Sequence, residues 1–130
     1  EIVLKNLRFK TSIYDEKLNG KFDKILLDVP CLGIGVIKRK PDIKWRRKEE
    51  DVQEITKLQK KILDNCAKYL RSGGELVYST CSILKEENQD IVHKFLKENK
   101  GEFFIEENAE VTIMPDKEKD GFYMCKVNKK

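Results

Sequence analysis

The segment Phe22-Asp23-Lys24-Ile25-Leu26-Leu27-Asp28-Val29, closed by Pro30, constrains this chain more than any other. Its nearly continuous apolar run suits a strand buried on both faces, as in a parallel sheet. Proline cannot donate to a ladder, so the strand ends at Pro30. A parallel neighbour requires a crossover, and the sequence supplies one. Val52, Ile55, Leu58, Ile62, Leu63, Cys66 and Leu70 recur at three- and four-residue spacing, the pattern of an amphipathic helix stopped by Ser72-Gly73-Gly74. Glu75 to Ser79 then reads as a second strand.

The same alternation continues to the end of the chain. A helix is expected over 86–99, with Ile91, Val92, Phe95 and Leu96 facing inward and Gly101 just beyond it. Phe103 to Glu106 and Phe122 to Val127 read as closing strands, separated by a polar stretch. Upstream, Lys10 to Tyr14 is a short candidate strand ending at Asp15, and Asn19-Gly20 marks a turn. Strands alternating with helices predict an α/β fold with a mainly parallel sheet and an antiparallel closing strand. Ligands of such sheets sit beyond the carboxyl ends of the strands. Asp15, Asp28 and the Thr80-Cys81 pair all end strands, and so share one crevice.

Residues 1–130 are read as one partial domain, since no linker or repeat divides them. The first residue is Glu1, and Ile2 to Leu7 reads as a connection already in progress, the expectation for a piece of a longer protein. A formal charge of +4 is compatible with a polyanion partner without requiring one. The absence of a long apolar run or signal pattern makes a cytoplasmic setting the default, with no membrane partner. Four cysteines, Cys31, Cys66, Cys81 and Cys125, form no C-x-x-C pair, and His93 is the only histidine. No metal is therefore expected, and the wide spacing favours reduced thiols over a disulfide framework.

Three stretches carry chemistry. In Asp28-Val29-Pro30-Cys31-Leu32-Gly33-Ile34-Gly35, a strand-end carboxylate precedes a stiff turn, a thiol and two glycines that allow close backbone approach to a planar ligand. Tyr78-Ser79-Thr80-Cys81-Ser82 puts a second thiol at the end of the next strand. Either cysteine alone is more economically a small buried thiol. Two of them on the ligand side of one sheet are harder to dismiss. The third stretch, Lys38 to Lys48, has seven basic residues out of eleven, interrupted by Trp45. Lys38, Arg39, Lys44 and Arg46 are candidates for phosphate contact and Trp45 for stacking on an unpaired base. A solvated loop anchored by the tryptophan is the plainer alternative.

The succession Asp28-Val29-Pro30-Cys31-x-Gly-x-Gly, Lys-Arg-Lys-Pro-Asp-Ile-Lys-Trp, Gly-Gly-Glu-Leu-Val-Tyr-Ser-Thr-Cys-Ser-Ile and Glu86-Glu87-Asn88, ending in Asp120-Gly121-Phe122-Tyr123, resembles the RNA cytosine-C5 methyltransferases of the Sun/NOL/NOP family. The likeness is strongest to the bacterial enzymes acting on small-subunit ribosomal RNA, and runs from about Asp15 onward. It implies the C-terminal half of a Rossmann-like methyltransferase domain, using S-adenosylmethionine as cofactor and RNA as partner. It implies that Cys81 is the nucleophile that adds to cytosine C6, and that Cys31 assists breakdown of the adduct. Chemistry alone does not choose between the two thiols.

By the same resemblance, Asp15 contacts the adenosine part of the cofactor, and Asp28 lies near both methyl donor and target base. Leu32 and Ile34 replace residues that in the family often carry hydroxyls. The glycine-rich cofactor loop, the acidic ribose ligand and an N-terminal RNA-binding region have no counterpart in these residues. The chain alone is therefore expected to be inactive. Two other readings stand beside this one. A DNA cytosine methyltransferase would use Cys31 as nucleophile, and a silent RNA-binding module would have no use for either thiol.

Overall fold

The structure, a computed structural model, describes residues 16–31 and 49–130. The candidate strand over 10–14, Asp15 and the basic residues Lys38, Arg39, Lys44, Trp45 and Arg46 lie outside the described residues.

A 3-10 turn, Glu16–Leu18, leads into strand β1, Phe22–Asp28. Helix α1, Glu49–Tyr69, follows and returns the chain to β2, Leu70–Thr80. A second 3-10 turn, Lys85–Glu87, and helix α2, Gln89–Glu98, precede three further strands. These are β3, Phe103–Phe104, β4, Glu110–Ile113, and β5, Phe122–Lys129. The sheet order is β1-β2-β5-β3, with β4 also on β5. β1 and β2 pair in parallel across the α1 crossover, while β5 runs antiparallel to β2, β3 and β4. The α/β architecture and the antiparallel closing strand are as the sequence implies, and β3 and β4 widen the antiparallel part.

Helix α1 forms because its apolar residues recur on one face, and three acids, Glu49, Glu50 and Asp51, complement the positive end of its dipole. That face buries Ile62, Leu63, Cys66 and Ala67 against Ile25, Leu27, Leu76 and Tyr78 of the sheet. α2 adds Ile91, Val92 and Phe95, the last meeting Phe103 edge-on at 5.0 Å between ring centroids. Each fully buried aliphatic or aromatic side chain contributes roughly 1.5–3 kcal/mol relative to exposure.

Four details differ from expectation. Leu26 is 64% exposed, so β1 alternates and buries only the face carrying Phe22, Ile25 and Leu27. Helices α1 and α2 supply the cover for that face; no described helix packs on the other. Leu70 begins β2 instead of ending α1, pairing with Phe22 before the register shifts and resumes at Lys24–Glu75. The intervening Ser72-Gly73-Gly74 is a bulge, with Gly73 at φ 81°. A Cβ at Gly74 would lie 2.9 Å from the backbone oxygen of Asp23, so the approach to β1 there excludes any side chain. The closing strand at Phe103 stops at Phe104, two residues before Glu106.

The fourth detail is β4, which lies in the stretch expected to be polar loop. Only Val111 and Ile113 are apolar in it, and none of its residues is fully buried. Tertiary contacts hold it instead. Glu110 Oε1 accepts from Tyr123 Oη at 2.5 Å, and its Oε2 lies 3.1 Å from His93 Nε2 on α2.

Candidate active site

The register of β1 on β2 builds the site. Asp28 is opposite Ser79, and the Val29 amide extends the ladder by donating to Ser79 O at 3.1 Å. In-register parallel neighbours end at the same level, so the residues following each strand must meet. Cys31 and Cys81 do so, with a Cα–Cα separation of 6.6 Å and their sulfurs in contact. That separation lies within the range a disulfide spans. Wide spacing in sequence says nothing about strands brought side by side, and these two thiols lie close enough to bond under oxidation. Both residues are only partly buried.

Cys66 and Cys125 are free and buried. Burial pushes the Cys66 thiol up to about 12 and, with a smaller contribution from the nearby Glu110 carboxyl, that of Cys125 to about 11. Neither is a nucleophile at neutral pH. Packing has sorted the four thiols into a strand-end pair and an interior pair.

Asp28 is exposed at the end of β1, with Ser79 Oγ 3.5 Å from its Oδ1. Its carboxyl oxygens are thus available to an incoming donor. Of the two aspartates expected to contact a cofactor, Asp28 is the one described, and its position suits a ligand bearing amino or hydroxyl groups.

Beneath the thiols lies a buried polar network. Thr80 Oγ1 donates to Asn88 Oδ1 at 2.6 Å and accepts from the Ser82 amide at 3.1 Å. Asn88 Nδ2 donates to Ser82 O at 2.9 Å, so one side chain grips the residues on both sides of Cys81. Ser82 Oγ donates to Glu87 Oε2, and Gln59 Nε2 donates both to Glu87 Oε1 at 3.0 Å and to Pro30 O at 2.8 Å. Tyr78 Oη donates to Glu87 O at 2.7 Å. Burial, and then the adjacent Glu87, raise the Tyr78 hydroxyl above its usual range, which keeps it a donor.

The sequence points to Glu86-Glu87-Asn88 only as part of a pattern and misses Gln59 altogether. The available signal was a lone amide on the apolar face of α1, among Ile55, Ile62 and Leu63. The break between the 3-10 turn and α2 at Asn88, with φ −114° and ψ −97°, is what turns Glu87 and Asn88 toward the strand ends.

Nearby, Glu49, Glu86 and Asp90 line a groove between the first turns of α1 and the segment before α2. Three carboxyls disfavour a phosphate backbone there. Among the described residues no cluster of three or more potential metal ligands occurs, and no helix is long and apolar enough to cross a membrane.

Comparison with known proteins finds relatives along most of the chain. The ribosomal RNA small subunit methyltransferase B of Shewanella oneidensis is 57% identical over 76 residues, covering 58% of this chain and 18% of that protein. The enzyme of the same description from Proteus mirabilis is 44% identical over 113 residues, covering 86% of this chain and 26% of its own length. The chain thus spans about a quarter or less of these curated relatives. Among solved structures, NSun6 from Pyrococcus horikoshii, determined with SFG, superposes with a TM-score of 0.71 at 30% identity, over 88% of this chain and 32% of that one. The family model described as 16S rRNA methyltransferase RsmB/F matches residues 4–128, and the chain belongs to that family.

Proposed function

We propose that this chain carries the two working thiols of an enzyme that methylates cytosine C5 in small-subunit ribosomal RNA, and forms part of its catalytic domain. The observation that carries the proposal is the meeting of Cys31 and Cys81 at the ends of neighbouring parallel strands, above a network that fixes both turns. A pure binding module has no need of such a pair.

Cytosine C5 is too weak a nucleophile to accept a methyl group unaided. Addition of the Cys81 thiolate to C6 makes C5 enamine-like, one difficult step being split into easier ones. S-adenosylmethionine, when bound, supplies the electrophilic methyl. Loss of the C5 proton and expulsion of the Cys81 thiolate then restore the ring, with Cys31 assisting breakdown of the adduct. Both roles require the dithiol, so a Cys31–Cys81 disulfide, once formed, has to be reduced for turnover. A free thiol with pKa near ~8.5 is only about 3% thiolate at pH 7, so a positive field would raise the rate. Lys38, Arg39, Lys44 and Arg46 are proposed to supply that field and to contact phosphates, with Trp45 stacking on a base. Asp28 is proposed to hold the cytosine edge and the methyl donor, and Asp15 the adenosine. SFG, an analogue of S-adenosylmethionine, in the NSun6 structure supports this choice of cofactor. With no glycine-rich cofactor loop in its sequence, the chain by itself is proposed to transfer no methyl group.

The test is transfer of labelled methyl groups to ribosomal RNA by the full-length protein that contains this sequence. Cys81→Ala should abolish transfer, and Cys31→Ala should accumulate a covalent protein–RNA adduct. If Cys31→Ala abolishes transfer and Cys81→Ala does not, the roles are reversed and a DNA-type mechanism takes over.

A further inference from the structure

Gln59 lies on a different element from either thiol, and the mechanism above gives it no part. It is nevertheless fully buried, and both hydrogens of its amide are used across elements. One goes to Pro30 O, the carbonyl immediately before Cys31. The other goes to Glu87, whose second carboxyl oxygen accepts from Ser82, the residue immediately after Cys81. The path Pro30–Gln59–Glu87–Ser82 therefore links the two cysteine-bearing turns by side chains. It is independent of the β1–β2 ladder, which the bond from Val29 N–H to Ser79 O extends. Gln59 Oε1 is itself buried without a partner, so the amide is held in place despite an unmet acceptor. A glutamine placed only to fill the α1–sheet interface would leave no such deficit if it were leucine.

We propose that Gln59 and Glu87 are positioning residues that fix the distance between the Cys31 and Cys81 thiols, and thereby the rate at which the Cys81–RNA adduct is resolved. Neither touches substrate. They act by holding Pro30 and Ser82, so their loss leaves RNA binding intact and slows the step that needs both sulfurs together. The second half of the proposal rests on the function given above; the first half does not.

The two halves separate experimentally. The chain is equilibrated in glutathione redox buffers, quenched with an alkylating agent, and the Cys31–Cys81 disulfide quantified by mass. This gives the effective concentration of one thiol at the other. Gln59→Leu, which keeps the volume and removes both donors, should lower that value about ten-fold, the worth of one net hydrogen bond of this kind. Glu87→Gln should shift it less, in the same direction. Ile62→Val, one turn further along the same buried face, controls for loosening of the core and should leave it unchanged.

In the full-length enzyme, Gln59→Leu should lower kcat several-fold, leave KM for RNA unchanged and lengthen the life of the Cys81 adduct. An effective concentration within two-fold of the parent, or an equal fall in Ile62→Val, overturns the positioning role whatever the reaction proves to be. A normal fall in effective concentration with no methyl transfer by the parent enzyme leaves the positioning role standing and removes the function.

Discussion

Cys31 and Cys81 differ from Cys66 and Cys125 in nothing but their surroundings. The first two follow adjacent parallel strands, are partly buried and touch each other; the other two, Cys66 on α1 and Cys125 on β5, are buried in the core. Desolvation disfavours a thiolate at both interior positions, so they behave as small apolar side chains. The lesson is that the reactivity of a cysteine follows from where its element places it, at a strand end or inside the core. Four identical side chains become a strand-end pair in contact and two pieces of filling.

The contrast can be broken by substitution. Cys81→Ala should reduce methyl transfer by the full-length enzyme by more than about a thousand-fold, whereas Cys66→Ala and Cys125→Ala should keep activity and instead lower stability by roughly 1–2 kcal/mol through the cavity each leaves. Denaturant titration beside the methyl-transfer assay checks both. Equal losses of activity at all four positions would erase the distinction.

Oxidation sharpens it further. Mild oxidation with a dithiol-selective reagent should silence the enzyme completely, and an excess of reducing thiol should restore it, because only the strand-end pair has a partner within reach. Activity surviving quantitative formation of the Cys31–Cys81 bond would contradict the assigned roles. In the reduced native chain, iodoacetamide at pH 8 should label Cys31 and Cys81 at least about a hundred-fold faster than Cys66 and Cys125, given the latter's suppressed ionisation. Site-resolved mass spectrometry of the time course reads this directly.

The smallest effect concerns alkaline stability. Burial pushes the interior thiols up to about 12 and about 11, above the ordinary thiol value of 9.0. Above pH 9 the unfolded chain ionises while the folded chain holds its protons. Their contribution is therefore complete below pH 9 and is lost as pH rises towards those values, at no more than about 1.4 kcal/mol per pH unit for each thiol. Cys66→Val should flatten the decline in denaturation midpoint between pH 9 and 11.

What the sequence makes legible is what repeats locally. The apolar run before Pro30 places β1, the spacing of Ile55, Ile62 and Cys66 places α1, and the two cysteine motifs place the strand ends that form the site. What escapes is whatever depends on a neighbour far along the chain. Leu26 reads as core because apolar composition cannot say whether a second face is covered. β4 is invisible because Glu110 owes its place to Tyr123 and His93, not to its own alternation. Gln59 passes unnoticed for a similar reason, since its bonds reach Pro30 and Glu87, 29 and 28 residues away. The meeting of Cys31 and Cys81 hides behind 50 residues of separation until parallel register closes it.

The placement of β5 carries a consequence for synthesis. Phe122–Lys129 is the shared partner of β2, β3 and β4, yet it follows all three in the chain. As the polypeptide leaves the ribosome, β1, α1 and β2 can associate early through their own crossover. The far edge of β2 and both short strands must wait, unsatisfied, until the last element emerges. Residues 70–121 therefore pass through an interval in which an exposed strand edge is open to pairing with other nascent chains. The arrival of β5 closes that interval by pairing the open edge of β2 together with both short strands.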